Sequence, residues 1–169
     1  QIWFYSEGIK LCGDIYVPED LPSGERRSGV VMAQGYFGIK DQWLPNNAKA
    51  FNQAGYVAMV FDYKGWGMCG GPKGRLDPYG RVADFQAAMT ALSLQPEVLS
   101  DAIGLYGTSY AGGTVAWVGA VDPRAKCIVT VGGVFNGRLW LREQGTRSQS
   151  EWDELQGLSK TDRERRVQT

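Results

Sequence analysis

The sequence predicts an α/β fold: a mostly parallel central sheet with helices packed on both of its faces. Short apolar runs at Gly29 to Ala33, Tyr56 to Phe61 and Ala102 to Tyr106 suit strands buried in a sheet, and Cys127 to Val131 reads as a further strand. Helix-patterned segments alternate with these runs, and the short connections favour right-handed crossovers and parallel pairing. Glycine-rich and small-residue segments follow directly where three of the runs end.

The elements follow in order. Trp3 to Tyr5 and Leu11 to Val17 flank Ser6-Glu7-Gly8, and alternation puts Leu11, Gly13, Ile15 and Val17 on one face, which reads as a hairpin. Pro18 to Ser28 is a loop of proline, glycine and charge, and the strand after it ends at Gln34-Gly35. Leu44 to Ala54 can form a helix closed by Gly55, and the next strand ends at Asp62. Val82 to Leu94 is helical in spacing and stops before Pro96; Ala102 to Tyr106 is a strand, Gly112 to Val121 a helix, Cys127 to Val131 a strand. From Arg138 to Thr169 the character changes to seven basic and six acidic residues, with Trp152, Leu155 and Leu158 as one apolar helical stripe. The expected organisation is therefore a core over residues 1–137 and the start of a helical cap or lid over 138–169.

With 169 residues, 43% hydrophobic and 12% aromatic, the chain can bury one core. Eighteen basic and eighteen acidic side chains cancel, so no overall field draws it to nucleic acid or an anionic membrane; a small molecule is the expected partner. Cys12, Cys69 and Cys127 are odd in number and follow no metal-ligand spacing, which implies free thiols, a reducing compartment and a cytoplasmic location. No cofactor or metal is expected, and oligomeric state stays open. No run is long and apolar enough to span a bilayer, and the start lacks both a methionine and a leader, so the chain reads as a piece of a longer one.

The chemistry centres on Ile103 to Gly113, an apolar strand that breaks into small residues around Ser109 and then becomes helical. Gly107-Thr108-Ser109-Tyr110-Ala111, followed by Gly112-Gly113, has the form of a nucleophile elbow, in which a tight turn lifts the serine hydroxyl above the sheet. The competing reading is a plain helix-capping serine. Ala33 to Asp41, after another buried strand, can turn a backbone N–H toward that hydroxyl. Tyr36 is the candidate donor there, Tyr110 the second, and Gln34, Gly35, Gly107, Gly112 and Gly113 shape the site. Asp62 to Gly71 lacks the lysine-hydroxyl pair of a P-loop and the dinucleotide glycine order, so it reads as the floor of the site, with Asp62 fixing loops by hydrogen bonds. The chain contains no histidine, so a serine nucleophile would stand here without its base.

Taken together, the Gln-Gly-Tyr loop, the Asp-Tyr-Lys-Gly-Trp-Gly loop and Gly-Thr-Ser-Tyr-Ala-Gly-Gly, in that order, resemble the α/β-hydrolase superfamily over about Ser6 to Val134. The Xaa-Pro dipeptidyl-peptidase and cocaine-esterase-like branch is most similar, with dienelactone hydrolases and fungal polyketide acyltransferase-like proteins as neighbours. The resemblance implies a three-layer sandwich, truncated here before its last strands, and a serine hydrolase acting on an ester or related acyl bond through an acyl-serine. An acyltransferase, an Xaa-Pro peptidase and a non-catalytic binding protein are the alternatives on the same fold. Relatives usually carry a histidine where Gln34 stands and a serine where Cys69 stands. The family's acid and histidine lie beyond the nucleophile and are not in these residues, so the isolated chain is expected to be inactive.

Overall fold

The computed structural model describes residues 1–145 and 148–168, which divide into two compact units, Gln1–Gly133 and Val134–Thr169. The first holds strands β1 (Ile2–Ser6), β2 (Ile9–Tyr16), β3 (Arg27–Ala33), β4 (Val57–Phe61), β5 (Val98–Thr108) and β6 (Ala125–Val131). Its helices are α1 (Leu44–Gln53), α2 (Pro78–Ser93) and α3 (Tyr110–Val121). The six strands form one sheet in the order β1-β2-β4-β3-β5-β6, antiparallel across β1-β2-β4 and parallel across β4-β3-β5-β6.

Alternation along the central strands sorts side chains into two cores. Val30, Met32, Ala58 and Val60 point to one face, where Leu44 and Ala48 of α1 cover them. Val31, Ala33, Val57, Met59 and Phe61 point to the other, against Phe85, Ala88, Met89 and Leu92 of α2 and Val115 and Val118 of α3. The result is helix, sheet, helix. Each of the valine, leucine, methionine and phenylalanine side chains among these contributes roughly 1.5–3 kcal/mol on leaving water, which is why β3 and β4 read as unbroken apolar runs.

Several boundaries differ from the sequence expectation, three of them at the starts of elements that carry the site. α2 begins at Pro78 rather than Val82, because Asp77 caps it by accepting from the Gly80 N–H at 3.1 Å and Pro78 is preset for a first turn. β5 starts at Val98 rather than Ala102, since Val98 already pairs with Arg27 before a register shift leaves Leu99, Ser100 and Asp101 exposed. α3 begins at Tyr110, directly after Ser109, rather than at Gly112. Among the described residues β6 pairs with β5 alone, and most of its side chains are exposed.

The second unit contains α4 (Gly137–Trp140), a π-helical turn at Leu141–Gly145 and α5 (Gln149–Arg166). Ser148 caps α5 by accepting from the Glu151 N–H. Trp152 is buried, with the Arg138 guanidinium 5.0 Å from its ring centroid, whereas Leu155 and Leu158 are exposed, so the expected apolar stripe reduces to its tryptophan. Among the described residues no helix is long and apolar enough to cross a membrane.

Candidate active site

Parallel register brings the site together. Ala33 of β3 stands opposite Gly107 of β5, so the residues that follow, Gln34-Gly35 and Thr108-Ser109, emerge side by side at the C-terminal edge of the sheet. That edge is where open α/β sheets bind ligands.

Ser109 has φ 53° and ψ −124°, and with Glu7 it is one of two non-glycine residues with φ beyond +20° among the described ones. An L-residue adopts this conformation only when its surroundings impose it. Here its N–H donates to Val131 O at 2.8 Å and its carbonyl accepts from the Gly112 N–H at 2.9 Å, which clamps the turn from both sides. Small neighbours are a steric requirement. A β-carbon on Gly107 would collide with the Ala111 carbonyl, and one on Gly112 would stand 2.6 Å from Gly133 Cα. Although Ser109 occupies the cap position of α3, its side chain makes no capping hydrogen bond, and the residue is exposed. The helix-capping alternative therefore does not describe it; the hydroxyl is left for something else.

The loop after β3 is fixed by buried charge. Gln34 lies under it, accepting from Thr108 Oγ1 at 3.3 Å and so joining this loop to the residue before Ser109. Gly35 borders Ser109 directly. Lys40 is buried, with Nζ 2.6 Å from Asp14 and 2.8 Å from Asp41, while its backbone N–H donates to Asp62 at 2.6 Å. Burial opposes the charge on Lys40, but its two carboxylate partners prevail and hold its pKa above the usual lysine range. Asp62 thus makes the loop-fixing hydrogen bond expected of it, and burial raises its own pKa.

Arg81, which the sequence did not single out, is the other anchor. It is 2% exposed, and its guanidinium donates to Gly35 O at 2.7 Å and Tyr36 O at 3.0 Å. The same group lies 4.2 Å from the Tyr63 ring centroid and 5.3 Å from that of Tyr110. Tyr36 and Tyr110, the two expected backbone donors, have their rings 6.1 Å apart, and Phe37 and Trp66 extend the aromatic surround. Gly113 is half-buried in the first turn of α3. Cys69 is buried beneath this floor, accepting from the Cys12 N–H and donating to Asp62 O, each at 3.1 Å. Burial pushes its thiol up to about 12, so it stands as a neutral bridge between the two. No cluster of three metal-ligating side chains occurs among the described residues.

The model of the X-Pro dipeptidyl-peptidase (S15) family matches residues 7–169. The chain belongs to the S15 family. This S15 chain is 37% identical over 125 residues to an uncharacterized 31.7 kDa protein of Escherichia coli, covering 74% of the chain and 42% of that protein. It is 32% identical over 126 residues to the thiohydrolase aneE of Aspergillus aculeatus, covering 74% of the chain and 38% of the relative. Among solved structures, the hypothetical protein PA2218 of Pseudomonas aeruginosa superimposes with a TM-score of 0.84 at 26% identity, covering 99% of the chain and 53% of that protein. Structural neighbours also include an α/β hydrolase and a dienelactone hydrolase-like protein, whose likeness is one of fold. The S15 chain spans about two fifths of the length of these curated relatives.

Proposed function

We propose that the intact protein to which these residues belong is a serine hydrolase that cleaves a carboxylic ester or related acyl bond of a small molecule. The observation that carries this reading is Ser109: an exposed residue, held at positive φ with its side chain unused in capping, at the C-terminal edge of the sheet. In the reaction Ser109 Oγ adds to the acyl carbonyl as a base takes the hydroxyl proton, and the N–H groups of Tyr36 and Tyr110 receive the resulting oxyanion. Collapse expels the leaving group with that proton and leaves an acyl-serine, which water then releases as the acid. The base is an imidazole from outside these 169 residues, which contain no histidine. Without it the isolated chain has little activity beyond that of binding and the oxyanion donors.

Acyl transfer to an alcohol or amine is the second reading. Hydrolase and acyltransferase names both occur among the relatives, and the first half of the reaction is common to both. An Xaa-Pro peptidase differs only in the bond attacked. Residues 138–169 are read as the start of a helical cap or lid insertion, and the free thiols Cys12, Cys69 and Cys127 support a reducing, cytoplasmic setting.

A fluorophosphonate probe applied to the intact protein tests the nucleophile. Labelling that maps to Ser109 and disappears in Ser109→Ala is expected. Unlabelled protein, or labelling that survives the substitution, refutes the reading and favours a non-catalytic binding protein. Release of free acid against transfer to an added alcohol separates hydrolase from acyltransferase.

A further inference from the structure

We infer that Arg81 is a positioning residue of the oxyanion site: its guanidinium aims the Gly35-Tyr36 peptide and places positive charge behind the Tyr36 N–H. The inference rests on the reading of Ser109 as nucleophile. Arg81 Nη1 holds Gly35 O at 2.7 Å, and that carbonyl belongs to the same peptide unit as the Tyr36 N–H. No peptide bond here is cis, so the Tyr36 N–H points opposite to the Gly35 carbonyl, and fixing one fixes the other. A carbonyl bonded to a cation also polarises its peptide, making the N–H on the far side a stronger donor. The second bond, from Nη2 to Tyr36 O at 3.0 Å, orients the following peptide as well, so the loop cannot rotate about one contact.

Charge makes the same point independently. Among the described residues no carboxylate lies within 4.0 Å of the Arg81 guanidinium, although the residue is only 2% exposed. Two neutral carbonyls and the faces of Tyr63 and Tyr110 are its close surroundings. Asp84, which lines the same cavity and pairs with Lys64, acts on Arg81 only from beyond 4.0 Å, and a buried cation with no carboxylate in contact is costly where an apolar side chain would fill the space more cheaply. Burial accordingly lowers its pKa, yet a guanidinium stays charged at any pH of interest. Its contacts reach both walls of the site: Gly35, which borders Ser109, and Tyr110, which follows it. A negative charge developing there meets a positive potential already in place.

The test uses the intact protein with p-nitrophenyl esters and four forms: wild type, Ser109→Ala, Arg81→Met and Arg81→Lys. Arg81→Met is expected to lower kcat by about 10²–10³-fold while KM moves by less than about threefold. Guanidinium chloride should restore part of that loss where sodium chloride and urea do not, because Arg81 lines a cavity of about 270 Å³ that admits a replacement cation. Arg81→Lys keeps the charge but not the planar fork, and kcat should fall about tenfold at unchanged KM. An inactive Ser109→Ala beside either Arg81 variant at wild-type kcat overturns the Arg81 role alone. So does a loss confined to KM, a loss without guanidinium rescue, or failure of both variants to fold, each of which marks a structural role. Undiminished activity in Ser109→Ala overturns the nucleophile reading and this one with it.

Discussion

Gly35 and Ser109 approach so closely that a β-carbon on Gly35 would stand 2.8 Å from Ser109 Cβ and 3.2 Å from Ser109 Oγ. Neither residue can move aside, since Gly35 is held by Arg81 and Ser109 by Val131 and Gly112. Gly35→Ala must therefore push the loop away from the serine. The expected result in the intact enzyme is a kcat lower by about 10²-fold, the scale set by a displacement of one ångström. Stability should fall by about 1–3 kcal/mol from overpacking. Steady-state kinetics beside urea unfolding measure the two effects, and unchanged kcat would show that the contact does not position the serine.

Cys69 predicts a difference between two conservative replacements. A serine hydroxyl in place of the thiol would keep both bonds of the bridge from Cys12 N–H to Asp62 O, whereas alanine leaves a buried N–H and a buried carbonyl without that partner. Cys69→Ala should cost about 1–3 kcal/mol, with Cys69→Ser closer to wild type. Mass-mapped alkylation of the native protein should also spare Cys12 and Cys69, which are buried, until denaturant is added. Equal midpoints for the two variants in urea would mean that the thiol fills space only.

Acid sensitivity should trace in part to the end of α3. Arg124 donates to both carboxylate oxygens of Asp122, at 2.9 Å from Nε and 2.6 Å from Nη2, and these bonds hold the Asp122 pKa down to about 2. A carboxylate with a folded pKa below its unfolded value stabilises the fold above about pH 4, and that contribution disappears as pH falls through about 2. Asp122→Asn should lose roughly 1–2 kcal/mol at pH 7, after screening of the half-exposed Arg124, and almost nothing near pH 2. Urea midpoints against pH for both proteins report this; a loss of the same size at both pH values would assign it to packing.

The sheet was legible because β3 from Gly29 on and β4 are buried on both faces, and such strands must be apolar throughout. Ser109 was legible for a related reason: a reversal within a few residues excludes side chains, and Gly107, Ala111 and Gly112 record that exclusion in the text. The polar supports of the site were not. Arg81 and Lys40 are charged residues 2% and 3% exposed, and nothing local distinguishes them from side chains on a solvated surface. Apart from Asp41 beside Lys40, their partners lie far off in sequence, Gly35 and Tyr36 for one and Asp14 for the other, so only the folded topology discloses them. Arg81 was further hidden by Gly80 and the glycine-rich stretch before it, which masked the first turn of α2. Asp77, a capping residue followed by proline, was the signal that could have revealed that turn.

The backbone at position 109 sets folding and chemistry at odds. Glycine accepts φ 53° freely, whereas any side chain there pays about 1 kcal/mol or more in steric conflict. Ser109→Gly should consequently melt at a higher temperature than the wild type while losing its acyl-serine chemistry, and a lower melting point would show that the turn is relaxed around serine. If the variant behaves so, thermostability screens run without an activity assay will enrich dead protein. The chain holds at this position a residue that folding alone would discard.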